Sequence, residues 1–231
     1  MKFGITQDFP CSYLNEQRER LLMLIEPEPD NQLYTQLMQV GFRRSGDQLY
    51  RPHCDNCSAC KSLRVNVNLF EPDKHQRRVI NKNNDLSVVV QRTEQADYYP
   101  LYETYINTRH QQGSMYPANR AQFASFLGHG FENQCFIELR LEERLIAVAI
   151  TDELQDGLSA VYTFFDPDMT GRSLGSASIL FQIQITRALG LPYLYLGYQI
   201  DDCSKMNYKA KFLPHEQFFN DKWVEFTKKH A

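Results

Sequence analysis

Long hydrophobic runs are absent from this 231-residue sequence. The longest aliphatic stretch, Leu145-Ile-Ala-Val-Ala-Ile150, is far too short to cross a bilayer, and Met1-Lys-Phe-Gly-Ile lacks a signal-like apolar core. A membrane class is therefore excluded, no membrane partner is expected, and the protein reads as cytoplasmic. An excess of positive charge is also missing, the formal net charge being -3. Any contact with nucleic acid must then rest on local patches: Arg43, Arg44 and Arg51; Lys74-His-Gln-Arg-Arg78 with Lys82; and Lys205, Lys209 and Lys211. Internal repeats and low-complexity tracts are absent as well. Hydrophobic residues at 42% and charged ones at 23% are ordinary for a folded globular chain and exclude disorder and fibrous classes.

The pattern along the chain predicts two lobes, residues 1–95 and 96–231, in a mixed α/β (α+β) fold. A helix is expected over 29–41, capped by Asp30 or Asn31, with Leu33, Leu37 and Val40 on one face and Gly41 at its stop. Leu63, Val65, Val67 and Leu69 alternate with polar residues as in a half-buried strand, and a second short strand is expected over 85–91. Helices around 98–109 and 120–127 lead into three apolar runs over 135–141, 145–154 and 158–165. Short polar turns join these runs, which predicts an antiparallel meander. A helix to about Leu189 and a strand from Tyr193 complete the second lobe.

Arg172-Ser-Leu-Gly175-Ser-Ala177 opens that last long helix. Helix N-termini offer unsatisfied N–H groups to anions, and this R-x-x-G-x-A turn makes the second half similar to the GNAT-type N-acyltransferase fold, with Arg172 and Gly175 as candidate substrate contacts. Earlier in the chain, Cys54-x-x-Cys57-x-x-Cys60 places three thiols on one loop, and Cys11 is a candidate fourth ligand. In a reducing compartment such clustering points to metal or to reactive thiols before disulfides. The spacing suits an iron–sulfur cluster, while His53 leaves zinc open.

Two longer segments carry a more specific likeness. The first runs from Gly41-Phe-Arg-Arg through Pro52-His-Cys54 to Cys60 and on to Phe70-Glu-Pro and Gln76-Arg-Arg78. The second is Leu158-Ser-Ala-Val-Tyr-Thr-Phe-Phe-Asp-Pro-Asp168, Ser173-Leu-Gly175, Tyr195-Leu-Gly-Tyr198, Cys203, Lys205-Met206 and Tyr208-Lys209. Together they closely resemble the arginyltransferase family in its compact bacterial branch, from Cys11 to about Trp223. The resemblance implies transfer of leucine from leucyl-tRNA to proteins beginning with Asp or Glu, which marks them for degradation, with no coenzyme A required. An aminoacyl ester is already activated, so the enzyme must align amine and carbonyl, stabilise the oxyanion and move protons.

On that resemblance Tyr162, Asp166 and Tyr198 are candidate catalytic residues, and Lys205, Tyr208 and Lys209 candidate contacts to the donor. The acceptor's carboxylate calls for an arginine, for which Arg43 and Arg44 are the candidates and Arg51 and Arg64 the rivals. Two other readings use fewer of these features. A coenzyme-A-dependent N-acetyltransferase leaves the cysteine loop without purpose, and a metal-binding redox sensor or RNA adaptor leaves the aromatic motifs without one.

Overall fold

The computed structural model describes residues 1–25, 29–113, 115–127 and 133–227. Its first part holds Phe3–Ile5 (β1), Phe9–Pro10 (β2), Arg18–Glu19 (β3), Leu21–Leu24 (β4), Asn31–Gln39 (α1), Arg43–Ser45 (β5), Gln48–Pro52 (β6), Lys61–Asn66 (β7), Lys74–Lys82 (α2) and Leu86–Gln91 (β8). Tyr98–Arg109 (α3), Arg120–Leu127 (α4), Gln134–Leu141 (β9), Arg144–Leu154 (β10), Gly157–Phe165 (β11) and Leu174–Ala188 (α5) follow. Tyr193–Gln199 (β12), His215–Phe219 (β13) and Lys222–Phe226 (β14) close the chain. Among the described residues, eight strands form one mixed sheet in the order β14-β13-β7-β12-β11-β10-β9-β8, and β1-β4-β6-β5 form a smaller one. The large sheet thus takes β7 and β8 from before residue 95 and the rest from after it. No described helix is long and apolar enough to cross a membrane.

The expected meander is present: β9, β10 and β11 pair antiparallel. Because β10 lies inside this sheet, Leu145 through Ile150 are buried on both faces. Helix α5 then carries the chain across, so β12 joins β11 in parallel. That pairing covers only Gly157–Ser159 against Tyr193–Tyr195, and beyond it the two strands part. On one face of the sheet Leu63, Val65 and Val67 pack with Ile179, Leu180 and Ile183 of α5. On the other, an aromatic cluster from α3 and α4 packs on β11, with Tyr102 and Phe123 ring centroids 4.9 Å apart.

Two expectations about faces need correction. Val40 is 44% exposed and lies past the end of α1, whose buried side is Tyr34, Thr35, Leu37 and Met38. Strand β7 is buried on both faces, because Leu63 and Val65 pack under α5 on one and Arg64 is enclosed by aromatic rings on the other, 3.7 Å from the Tyr193 centroid and 4.1 Å from that of Trp223.

Candidate active site

Where β11 and β12 part, a cleft of about 960 Å³ opens. Its walls come from β11 (Ala160, Tyr162, Phe165), the first turn of α5 (Leu174, Gly175, Ser176), the end of α3 (Tyr105, Arg109, His110) and the segment 204–209. Tyr13 and Arg43 reach it from the N-terminal part of the chain. A splayed parallel pair leaves strand carbonyls and N–H groups without ladder partners, so other groups must satisfy them.

Successive residues of a strand point to opposite faces, and β5 uses this to separate Arg43 from Arg44. Arg43 enters the splay, where its Nη2 donates to the Val161 carbonyl at 3.0 Å. It crosses β12 at Gly197, where a Cβ would stand 3.0 Å from Nη1 and 3.1 Å from Cζ. Gly197 also holds φ +74°, so this position favours glycine for both conformation and space. Tyr13, Tyr50, Tyr198 and Tyr208 surround Arg43, Lys209 lies within reach of its charge, and no described carboxylate forms an ion pair with it. Arg43 is therefore a charged guanidinium at the cleft wall with donors to spare.

Arg44 is a different case, and its assignment to the acceptor carboxylate is corrected. Its side chain is fully buried, with Nε and Nη2 on the two Asp152 oxygens at 2.6 and 2.9 Å and Nη1 donating to the carbonyls of Gly46 and Leu127 at 2.8 and 3.1 Å. Tyr34 donates its hydroxyl to Asp152 Oδ2 at 2.7 Å. Arg44 thereby locks the small sheet to β10. The rivals are placed elsewhere: Arg51 donates to the Val40 carbonyl at 3.0 Å, and Arg64 pairs with Glu216 at 2.6 Å.

Tyr162, Gly175, Lys205, Tyr208 and Lys209 all line the cleft. Lys209 is 4% exposed and donates Nζ to the Tyr198 carbonyl at 2.6 Å, on the strand that left β11. Burial, then the Arg43 charge, hold its pKa well below the ordinary lysine value. Burial raises the pKa of Tyr162 and Tyr208, so both keep their protons and act as hydroxyls rather than bases. Besides Arg44, three expected site residues lie outside this cleft. Tyr198 has its hydroxyl 3.2 and 3.0 Å from the Gly41 and Tyr50 carbonyls, tying β12 to the small sheet. Asp166 pairs with Arg144 and accepts from the Asp168 N–H at 2.9 Å, closing the turn after β11. Arg172 turns outward and makes a bidentate pair with Asp85 at 2.7 and 2.8 Å.

His110 is a cleft residue that sequence reasoning missed. It follows the last residue of α3, its ring is 4.9 Å from Tyr105, and its Nε2 is buried without a hydrogen-bond partner among the described residues. Burial, then Lys205 and Arg109, lower its pKa below 6.5, so the ring is neutral at neutral pH. A single histidine after a tyrosine-rich helix carries no spacing signal, which is why it escaped.

The four cysteines of the expected ligand set line a separate cavity of about 280 Å³ with His53 and Glu19. All four are free thiols. Burial pushes the Cys60 thiol up to about 12, with Cys11, Cys54 and Cys57 adding to the shift, so the four sulfurs feel one another. Among the described residues no three His, Cys, Asp or Glu side chains stand close enough to hold one ion as placed.

The chain matches the description "Arginine-tRNA-protein transferase, N terminus" over residues 9–78 and "Arginine-tRNA-protein transferase, C terminus" over 97–219. Covering more than half of the sequence, these matches show that the chain belongs to the arginine-tRNA-protein transferase family, a class of aminoacyltransferases that use aminoacyl-tRNA. Within that class it is similar to the aspartate/glutamate leucyltransferase of Pseudoalteromonas atlantica, 52% identical over 229 residues and covering 99% of each chain. It is also similar to the protein of that name in Pseudomonas aeruginosa, 51% identical over 229 residues and covering 98% of this chain and 97% of the relative. Among solved structures, L-PGS from Bacillus licheniformis superposes with a TM-score of 0.52 at 10% identity over 75% of this chain and 61% of that one. At that identity the likeness concerns the fold alone.

Proposed function

We propose that this protein transfers leucine from leucyl-tRNA to the N-terminal Asp or Glu of proteins in the cytoplasm, marking them for degradation, and that the region from β9 to β12 is a GNAT-like core working without coenzyme A. The observation that carries this reading is Arg43, a cation with no ion pair among the described residues, standing at the wall of a cleft that spans the splay of β11 and β12. The acceptor's side-chain carboxylate meets the Arg43 guanidinium, and its α-amino group then lies a few bonds away, facing the aminoacyl ester. Its nitrogen attacks the ester carbonyl, the amide C–N bond forms, the C–O bond to the ribose breaks, and a proton passes from the amine toward the ribose oxygen. The hydroxyl of Tyr208 and the first turn of α5 offer donors to the developing oxyanion and the terminal nucleotide, and Tyr162, whose hydroxyl is directed at Met115 Sδ, shapes the β11 wall. Lys205 adds positive charge at the rim, and Lys209 holds β12 open through the Tyr198 carbonyl. Incubation with separately charged leucyl- and arginyl-tRNA and with peptides starting with Asp, Glu, Lys or Ala tests the reading. Labelling of Asp and Glu peptides by leucine is expected; equal labelling of the Lys peptide would refute the acceptor class.

His110 takes the amine's proton in this scheme, since it is neutral and its Nε2 has no other partner. His110→Gln is expected to lower kcat about 100-fold, the lower end of what a positioned base contributes. Stability gives an independent check. With the folded pKa depressed, the unfolded chain binds the proton first as pH falls below about 6.5, so stability declines on acidification through that window. His110→Gln should flatten this decline in pH-dependent urea melts, and an unchanged slope would remove the buried neutral histidine from the account.

We further propose that Cys11, Cys54, Cys57 and Cys60 hold an iron–sulfur cluster or zinc. Four soft sulfur donors line one cavity, and a bound cation would stabilise the thiolate form that burial, and then the neighbouring thiols, disfavour at Cys60. The metal would fasten the 54–60 loop to the N-terminal strands, a structural contribution separate from acyl transfer. Cys57→Ser should lower bound iron or zinc and weaken activity after anaerobic purification; metal-free wild-type protein from the same preparation would eliminate the claim.

A further inference from the structure

Helix α2 sets Lys74, Arg78 and Lys82 at i, i+4 and i+8. They form one stripe along the helix, in steps of about 6 Å that each wind about 40° around its axis. All three are exposed, with Arg77 beside them. The opposite face is fixed inward: Gln76 donates to the Lys211 carbonyl at 3.0 Å, Val79 is buried, and Asn83 donates to the Arg172 carbonyl at 2.9 Å. The stripe therefore cannot turn away from solvent without breaking these contacts.

Like charges four residues apart destabilise a helix, and here nothing among the described residues neutralises them. Asp85, the next carboxylate in the chain, is occupied by both terminal nitrogens of Arg172. Asp73 is engaged in the N-terminal capping box with Gln76. The chain as a whole carries -3, so this concentration of positive charge runs against its balance. Its position is informative. Lys82 Nζ lies 3.2 Å from where a Cβ on Gly171 would stand, and the adjoining Thr170 and Ser173 line the cleft.

We propose that the Lys74–Arg78–Lys82 stripe is the track on which the phosphodiester backbone of the donor tRNA's single-stranded 3′ end docks. The terminal aminoacylated nucleotide enters the cleft, and the preceding phosphates leave past the Thr170–Ser173 rim and step along Lys82, Arg78 and Lys74. The stripe supplies register and affinity but no base reading, because cations on one helix face meet phosphates rather than base edges. This rests on aminoacyl-tRNA being the donor.

The test uses the full-length protein carrying Lys74→Gln, Arg78→Gln and Lys82→Gln together, with the pair Lys2→Gln and Lys222→Gln as a control for positive charge removed elsewhere on the surface. Three lost contacts to a single strand should reduce the slope of log binding constant against log salt for tRNA by about 2. KM for leucyl-tRNA should rise about tenfold or more, while transfer from the minimal donor 3′-leucyl-adenosine and KM for the Asp peptide stay at wild-type values. An unchanged salt slope, an equal loss with the minimal donor, or an equal loss in the control pair would each overturn the proposal. So would an intact tRNA slope with lost binding to phosphatidylglycerol vesicles, which would assign the stripe to a lipid surface. Failure of the wild type to transfer from any charged tRNA strikes the donor reading instead, and the salt slope still reports on the stripe.

Discussion

Arg43→Met is expected to lower kcat/KM for a peptide beginning with Asp by on the order of 30- to 4,000-fold, since removing one partner of a desolvated charge pair costs roughly 2 to 5 kcal/mol. The loss should appear mainly in the acceptor KM, because the interaction is made with the bound acceptor before and during attack. Arg43→Lys should recover only part of it, as an ammonium cannot span the Val161 carbonyl and a carboxylate with the planar fork that the guanidinium provides. Gly197→Ala moves the same group from the other side: its methyl would press on the guanidinium and its backbone would be held at φ +74°. It should therefore raise acceptor KM without touching donor KM. Steady-state kinetics with Asp and Ala peptides decide the matter. If both variants keep wild-type acceptor KM, Arg43 serves only to fill the splay.

For Arg44 the expected result is loss of stability rather than loss of substrate recognition. Arg44→Met leaves Asp152 buried with its guanidinium partner gone, a change that costs about 3 to 5 kcal/mol. At about 2 to 4 °C per kcal/mol for a chain of this size, the melting temperature should fall by roughly 6 to 20 °C. Arg44→Glu should be worse, since it sets two carboxylates together in a closed site. Pairing Arg44→Met with Asp152→Leu should recover much of the loss, because the uncompensated charge is then gone. A single variant with a normal melting temperature and a raised acceptor KM would return Arg44 to the substrate site.

The contrast between these neighbours marks the limit of reading the chain by itself. Residues 43 and 44 have the same side chain and sit in the same motif, and only the register of β5 against β6, with Arg43 opposite Tyr50 and Arg44 opposite Leu49, decides which faces the cleft. The same applies to Asp166, whose motif points to chemistry but whose carboxylate is taken by Arg144 twenty-two positions earlier. Helix α2 was legible only as a cluster of basic residues. Its capping box and buried Gln76 became visible once Lys211 supplied the partner for that amide.

The sequence by itself determined the elements whose signals are local. The helix expected over 29–41, which forms as Asn31–Gln39 with Asp30 as its cap, the three-strand meander and the helix after Arg172 depend on periodicity, caps and turns within a few residues, and they stand close to where the pattern puts them. It also determined the family, through motifs spread over nearly the whole chain. Tertiary structure alone decided the site. The cleft exists because β11 and β12 stop pairing after Ser159 and Tyr195, and it is closed on one side by an arginine more than a hundred residues away in the chain. Burial and hydrogen-bond satisfaction depend on which atoms meet across such distances, and residue order fixes them only through the completed packing.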